Sequence, residues 1–242
     1  MWIVLVAALS VACIELLAIP MWVFVVIAAP TLIIILIYAS FLYNSRESLQ
    51  LEAIPRFGYS ARLSDLERES KRIEFMGFRK TDMFYLKTIP DSITYVFKHE
   101  KEPCYFCLYH FGQKYVCDFI THFEGEFSLT TANTVDAGLV SKPVRAFLQI
   151  YPRESYDTIF SQHMESLEYI SRDGIHPFDI PEGEFRFYFM KNLREQAAYI
   201  RKLPFWPLTL LINVLARHGK IYCRSIREQY PQGVMHLLSG SQ

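Results

Sequence analysis

Apolar residues open this chain as a nearly unbroken run and then become periodic. From Met1 to Tyr43 the single formally charged side chain is Glu15, whereas beyond Arg46 apolar and polar positions interchange at the short repeats of helices and strands. A hydrocarbon core is about 30 Å thick and takes about 20 apolar residues to cross as a helix, so the opening run is roughly twice one span. Two readings are open. In the first, Trp2–Ile19 and Met21–Tyr43 form a transmembrane helical hairpin, with Glu15 and Pro20 near the bend. In the second, the stretch around Met21–Tyr43 spans and the first part lies in the interface or re-enters. The hairpin is preferred, because proline ends one helix and suits the first turn of the next, and a carboxylate costs least near a surface. Trp2, Trp22, Tyr38 and Tyr43 are suited to interfacial anchoring.

A secretory signal fits poorly, since no Lys or Arg precedes the run and the run is too long. The first cations after it are Arg46, Arg56, Arg62, Arg68, Lys71 and Arg72, which by the positive-inside tendency puts the rest of the chain in the cytoplasm. A single span with an external domain is the alternative.

The remainder reads as α+β. Residues 44–60 form a linker broken by Pro55 and Gly58. An amphipathic helix starts near Ser60–Ser64, where Ser64-x-x-Glu67 has the form of a capping box. It carries Leu63, Leu66, Ile73 and Met76 on one stripe and ends at Gly77. An antiparallel β-meander of about five strands follows, over Met83–Thr88, Ile93–Lys98, Cys104–Phe111, Lys114–Phe123 and Glu126–Thr131, with Val144–Ile150 as a further candidate. A two-residue turn at Gly112-Gln113 fixes a register: Phe111 opposite Lys114, His110 opposite Tyr115, Leu108 opposite Cys117, Phe106 opposite Phe119. One face then carries Phe106, Leu108, Tyr115, Cys117 and Phe119. The other carries Tyr105, Cys107, Tyr109, Val116, Asp118 and Ile120, and neither face is polar enough to stay wet. A two-residue turn at Glu124-Gly125 puts Phe127 and Leu129 on the second face. Either a bulge at Gly125 resets this register or helices cover the sheet on both sides, and cover on both sides is preferred.

Pro152 opens a helix running to about Arg172, striped with Tyr156, Ile159, Phe160, His163, Leu167 and Ile170. Another helix spans about Glu184–Leu203. After the break at Pro204–Pro207, Leu208–Ala216 is apolar but too short to span, and basic residues bracket it. That pattern predicts an interfacial helix over 204–218, with Trp206, Arg217, Lys220, Arg224 and Arg227 at the membrane interface. A core helix packed on the sheet is the competing reading. The organisation expected is a membrane anchor over 1–43, a linker over 44–60, an α+β soluble domain over 61–174 and a helical C-terminal region over 175–242. The order of helix, meander and helix resembles profilin-like and PAS-like sensor modules in outline, a likeness of layout without functional weight.

Composition adds little chemistry. The formal net charge is zero, which argues against a nucleic-acid partner. The five cysteines are scattered and no Asn-x-Ser/Thr sequon occurs, both in keeping with a reducing compartment. Cys104-x-x-Cys107 has a metal-ligand spacing but falls in a strand, where residues three apart face opposite ways, so no metal site is assigned. His110, Cys117, Asp118 and His122 are the candidate catalytic residues, because a thiol, an imidazole and a carboxylate form a nucleophilic triad when they converge. The register above separates them. His163 reads as a satisfied core histidine, and Thr130–Thr134 as a capping or turn segment rather than a ligand-binding one. Phosphate-binding loops, dinucleotide fingerprints, zincin helices and nucleophile elbows have no match, and no cofactor is expected. The reading is a membrane-anchored cytoplasmic binding, scaffold or accessory module, with membrane lipid and another membrane or cytoplasmic protein as partners. The alternative is a membrane-surface hydrolase or transferase acting on a lipid-linked substrate.

Overall fold

The computed structural model describes Leu32 and residues 51–52, 60–86, 92–111, 114–140, 142–181, 183–203, 206–216 and 218–235. Apart from Leu32, the segment expected to form a transmembrane hairpin, with Glu15 and Pro20, lies outside the described residues, as do most of the linker, Gly112-Gln113, Pro204–Phe205 and Arg217. The chain divides into two units, Met1–Tyr43 and Asn44–Gln242. Among the described residues no helix is long and apolar enough to cross a membrane.

The second unit is a mixed α+β fold. Its elements are β1 (Leu51–Glu52), α1 (Ser60–Phe75), β2 (Phe78–Leu86), β3 (Ser92–His99), β4 (Tyr105–Phe111), β5 (Lys114–Phe123), β6 (Phe127–Ala132), β7 (Ala146–Ile150), α2 (Tyr156–Arg172), β8 (Pro177–Phe178), α3 (Phe185–Lys202), α4 (Trp206–Leu215) and α5 (Ile226–Gln229). The strands form one sheet in the order β1-β2-β3-β4-β5-β6-β7, with β8 added beside β5. All pairs are antiparallel except β6–β7, which is parallel. The meander is therefore larger than about five strands and not wholly antiparallel. The connection over 133–145 carries the chain back to the start of the sheet's last strand, and neither that crossover nor the two-residue strand β8 has a periodic signature in the sequence.

The β4–β5 pairing has the register the hairpin predicts: His110 faces Tyr115, Leu108 faces Cys117, and Phe106 faces Phe119. The next turn differs. Phe123 pairs with Phe127 across three residues, Glu124, Gly125 and Glu126. Gly125 (φ 72°) and Glu126 (φ 66°) both adopt left-handed backbone there, which a two-residue turn at Glu124-Gly125 does not provide. The extra residue returns Phe127 and Leu129 to the face of Phe119, Thr121 and Phe123, so the register resets and the sheet is covered on both sides as well.

On the first face α1 and α2 pack over Phe78, Tyr95, Phe97, Phe106, Leu108, Cys117 and Phe119, contributing Leu66, Ile73 and Ile159. Helix α1 is fastened by Glu67, whose carboxylate accepts from the Tyr95 hydroxyl at 3.0 Å and from Lys80 Nζ at 2.8 Å. This helix already includes Ser60, which puts Ser64 inside it and not at its N-cap, while Gly77 (φ 86°) ends it as expected. Helix α2 starts at the Ser155 cap and not at Pro152, because Arg153 takes φ 73°, a backbone no α-helix accommodates. On the second face α3 brings Phe185, Tyr188 and Phe189 onto Phe84, Val96, Tyr105, Cys107, Tyr109 and Ile120. Arg186 clamps it to β2 by a two-pronged contact with Asp82, at 2.5 and 2.6 Å.

Beneath α2 lies a buried polar network. His163 is fully buried, with Nε2 2.9 Å from Thr121 Oγ1 and Nδ1 2.7 Å from Thr131 Oγ1. Gln149 Nε2 donates to Thr131 Oγ1 at 2.8 Å, while its Oε1 accepts from Ser166 Oγ at 2.8 Å and from the Ile226 amide at 3.2 Å. Both ring nitrogens of His163 are thus occupied, and β5, β6, β7, α2 and α5 are tied at one point.

Candidate functional site

The second face carries one feature its apolar neighbours do not explain. Asp118 sits in β5 between Cys107 of β4 and Ala132 of β6, on the face of Tyr109 and Ile120. Strand alternation puts it there: every second residue of β5 faces α3, and 118 falls among them. A carboxylate in that position costs free energy unless something compensates it. The Tyr109 hydroxyl hydrogen-bonds the carboxyl group, yet Oδ1 is shut off from solvent and has no hydrogen-bond partner among the described residues. Burial pushes its pKa up to about 6, against a smaller downward pull from Lys142. Lys142, on the connection before β7, is lowered in turn by burial and raised by Asp118.

Asp118 and Lys142 share the walls of a cleft of about 190 Å³ with Tyr109, Ile120, Thr130, Arg145 and the α3 residues Phe189, Asn192, Leu193, Glu195 and Gln196. Among the described residues no ion pair within 4.0 Å joins Asp118 to Lys142. The other charges at the rim have partners in place. Glu126 holds Lys191 at 2.8 Å, Glu195 lies 3.8 Å from the same amine, and Arg145 donates to the Gly125 carbonyl at 3.1 Å while lying over the Phe127 ring.

The four candidate catalytic residues do not converge. Cys117 is buried in the first-face core, its amide donates to Asn133 Oδ1 at 2.9 Å, and burial raises its thiol well above the ordinary range. His110 is on the same face with its ring 5.0 Å from that of Tyr115. Asp118 and His122 occupy the opposite face, and His122 packs on Tyr188, 5.6 Å between centroids, beside Phe178 of β8. Of the four, Asp118 alone lines the cleft. Cys104 and Cys107 are buried in different cores on opposite faces and cannot share a metal ion. In the Thr130–Thr134 segment, Thr130 lines the cleft, Thr131 bonds His163, Asn133 bonds Cys117, and Thr134 accepts from the Asp136 amide. Lys142, Asn192, Glu195 and Gln196 were not singled out by sequence. Asp118 entered only as the carboxylate of a possible triad, though a charge within a strand whose same-face neighbours are apolar is a sharper signal for it; a lysine in a loop and polar residues on a helix look like ordinary solvated positions.

The residues expected at a membrane interface have mixed placements. Trp206 opens α4 and is half-buried, Lys220 and Arg224 are exposed, and Arg227 lies 3.7 Å from Glu165 and over the Tyr169 ring. Helix α4 has side chains of both kinds, buried and exposed, among those described. Its buried Asn213 donates to the Leu139 carbonyl at 3.2 Å, while Ile212 and Leu215 are exposed, as is Ile221 in the following 3-10 turn His218–Tyr222.

The buried histidines set the acid response. His163 is held down to about 3 and His122 to about 4, burial being the main cause for both, against an ordinary 6.5. Each lends stability above pH 6.5 that is lost as pH falls toward its folded value. Asp118, raised to about 6 from 3.8, acts with the opposite sign over the same range. His99 is also lowered by burial and adds a loss of the same sign, so the losses outnumber the gain and stability should fall between pH 6 and 5. Urea unfolding at these two pH values should show that fall, and in His122→Gln it should be smaller. A slope unchanged by the substitution would contradict the assignment.

No family model, no curated protein and no solved structure matches this chain. The class it defines rests on its own geometry: an α+β unit with a mostly antiparallel sheet covered on both faces and a small charged cleft beneath one covering helix.

Proposed function

We propose that this protein is a membrane-tethered cytoplasmic binding module. Its apolar residues 1–43 serve as the anchor, as a helical hairpin, and the end of α4 with the turn after it makes a second contact with the bilayer. The sequence of the anchor supports the first part: one formal charge in residues 1–43, then a cluster of cations. The observation that carries the second is a local conjunction of exposed apolar and basic side chains. Ile212 and Leu215 lie one helical turn apart and are more than half exposed (54% and 66%), as is Ile221 (52%), with Lys220 and Arg224 exposed nearby. Apolar side chains of this kind insert at the headgroup boundary while cations meet anionic lipid. The hydrolase or transferase alternative has no converging nucleophile and base among Cys117, His110, Asp118 and His122 to rest on.

Two measurements test the reading. The full chain should stay with membranes through alkaline extraction, and a chain beginning at residue 44 should be released. That shorter chain should still bind anionic vesicles, and Lys220→Gln with Arg224→Gln should weaken the binding about 30-fold, taking about 1 kcal/mol per cation. Equal binding to neutral and anionic vesicles, or no loss in the double variant, would remove the second contact. Recovery of the full chain in the supernatant would remove the anchor.

A further inference from the structure

The tether explains where the module sits, and the cleft on the second face bears on what it binds. Asp118 and Lys142 are a carboxylate and an amine, both partly withdrawn from water, that line one concavity without a direct ion pair between them. Drawing opposite charges out of solvent is unfavourable unless they meet each other or a third body. The rim charges are already engaged, Glu126 and Glu195 by Lys191 and Arg145 by the Gly125 carbonyl. Asp118 and Lys142 therefore set the charge pattern that a ligand has to match: one cation and one anion held within the same cleft. Ile120, Phe189 and Leu193 add an apolar wall. At about 190 Å³ the cleft is smaller than the ~300 Å³ at which pockets for drug-sized molecules begin, and has room for about six waters.

We infer that the cleft is a binding site for a small zwitterion of the α-amino-acid type with an apolar side chain, its ammonium group on Asp118 and its carboxylate on Lys142. The ammonium meets the carboxylate at its other oxygen, Oδ2. Because the charge is shared by both oxygens, it compensates the shut-off Oδ1 without touching it. The ligand's own side chain lies along Ile120, Phe189 and Leu193. This deepens the reading of the chain as a binding module and is independent of its membrane attachment.

The test is calorimetric titration of the full chain in mild detergent with leucine, with isoamylamine (leucine without its carboxylate) and with 4-methylvalerate (leucine without its amine). Leucine should bind saturably, and each truncated analogue at least about tenfold more weakly. Asp118→Asn should weaken leucine and isoamylamine at least about tenfold but leave 4-methylvalerate unchanged, and Lys142→Met should do the reverse. Asp118→Asn should also raise the thermal midpoint, since it removes a poorly compensated charge. Lost affinity with gained stability is a pattern that a structural carboxylate would not give. If Asp118→Asn fails to fold, Lys142→Met carries the comparison alone. Absence of leucine binding, or equal binding by leucine and both analogues, would overturn the site and show that the cleft holds solvent. Either result leaves the vesicle and extraction measurements unaffected, so failure here is distinguishable from failure of the tether.

Discussion

His163→Ala should destabilise the folded unit by about 3–5 kcal/mol, measured by urea unfolding at pH 7. The imidazole is fully buried and bridges Thr121 and Thr131, at 2.9 and 2.7 Å. Its removal leaves two buried hydroxyls short of a partner, each costing about 1–3 kcal/mol, and opens a cavity beneath α2. The effect should not stay local. Thr131 Oγ1 also accepts from Gln149, and Gln149 Oε1 holds the first amide of α5 at 3.2 Å, so hydrogen exchange should accelerate in α5 as well as in α2. His163→Gln keeps part of the hydrogen bonding and should lose less. A loss below about 1 kcal/mol for the alanine variant would mean that the network is not what ties these five elements together.

Gly219→Ala should cost about 2–4 kcal/mol, through contact rather than through lost conformational freedom. A Cβ at 219 would stand 2.0 Å from the Val135 carbonyl oxygen, a backbone atom with no side-chain freedom to move aside. Gly138 is also tightly packed, from the other side, where a Cβ would come within 2.7 Å of Gly219 Cα. These two glycines let the 3-10 turns Val135–Gly138 and His218–Tyr222 touch. The first of these turns lies on the same connection as Lys142. Gly219→Ala should therefore also raise hydrogen exchange over 133–145 and weaken leucine binding. Gly174→Ala is the control: its Cβ meets nothing within 4 Å, and its left-handed backbone (φ 82°) leaves only a conformational cost of about 1–2 kcal/mol. Equal losses for the two variants would exclude the close contact as the cause.

On the proposed reading, the apolar segment 1–43 and the cleft would give the molecule two separable tasks. Residues 1–43, with the exposed side chains at the end of α4, would concentrate it at one surface, and the pair Asp118 and Lys142 would select what it holds there. Cys117, His110 and His122 take part in neither, being spent on the first-face core, on a ring contact with Tyr115 and on packing against Tyr188.

Local periodicity determined a large share of this architecture without any coordinates. The β4–β5 register follows from alternation and a short turn, so the two faces, the opposed directions of Cys104 and Cys107, and the separation of Cys117 from Asp118 were all legible in the sequence. So was the satisfied state of His163, from its place on an apolar helical stripe. Tertiary structure alone decided the three-residue turn at Glu124–Glu126, the parallel return of β7, and the meeting of Lys142 and α3 over Asp118. The reason is one of range. Strand alternation and helical stripes are set by neighbours a few residues apart and leave their period in the chain. A crossover or a cleft between distant segments is set by how the faces close on one another, and no short period records it.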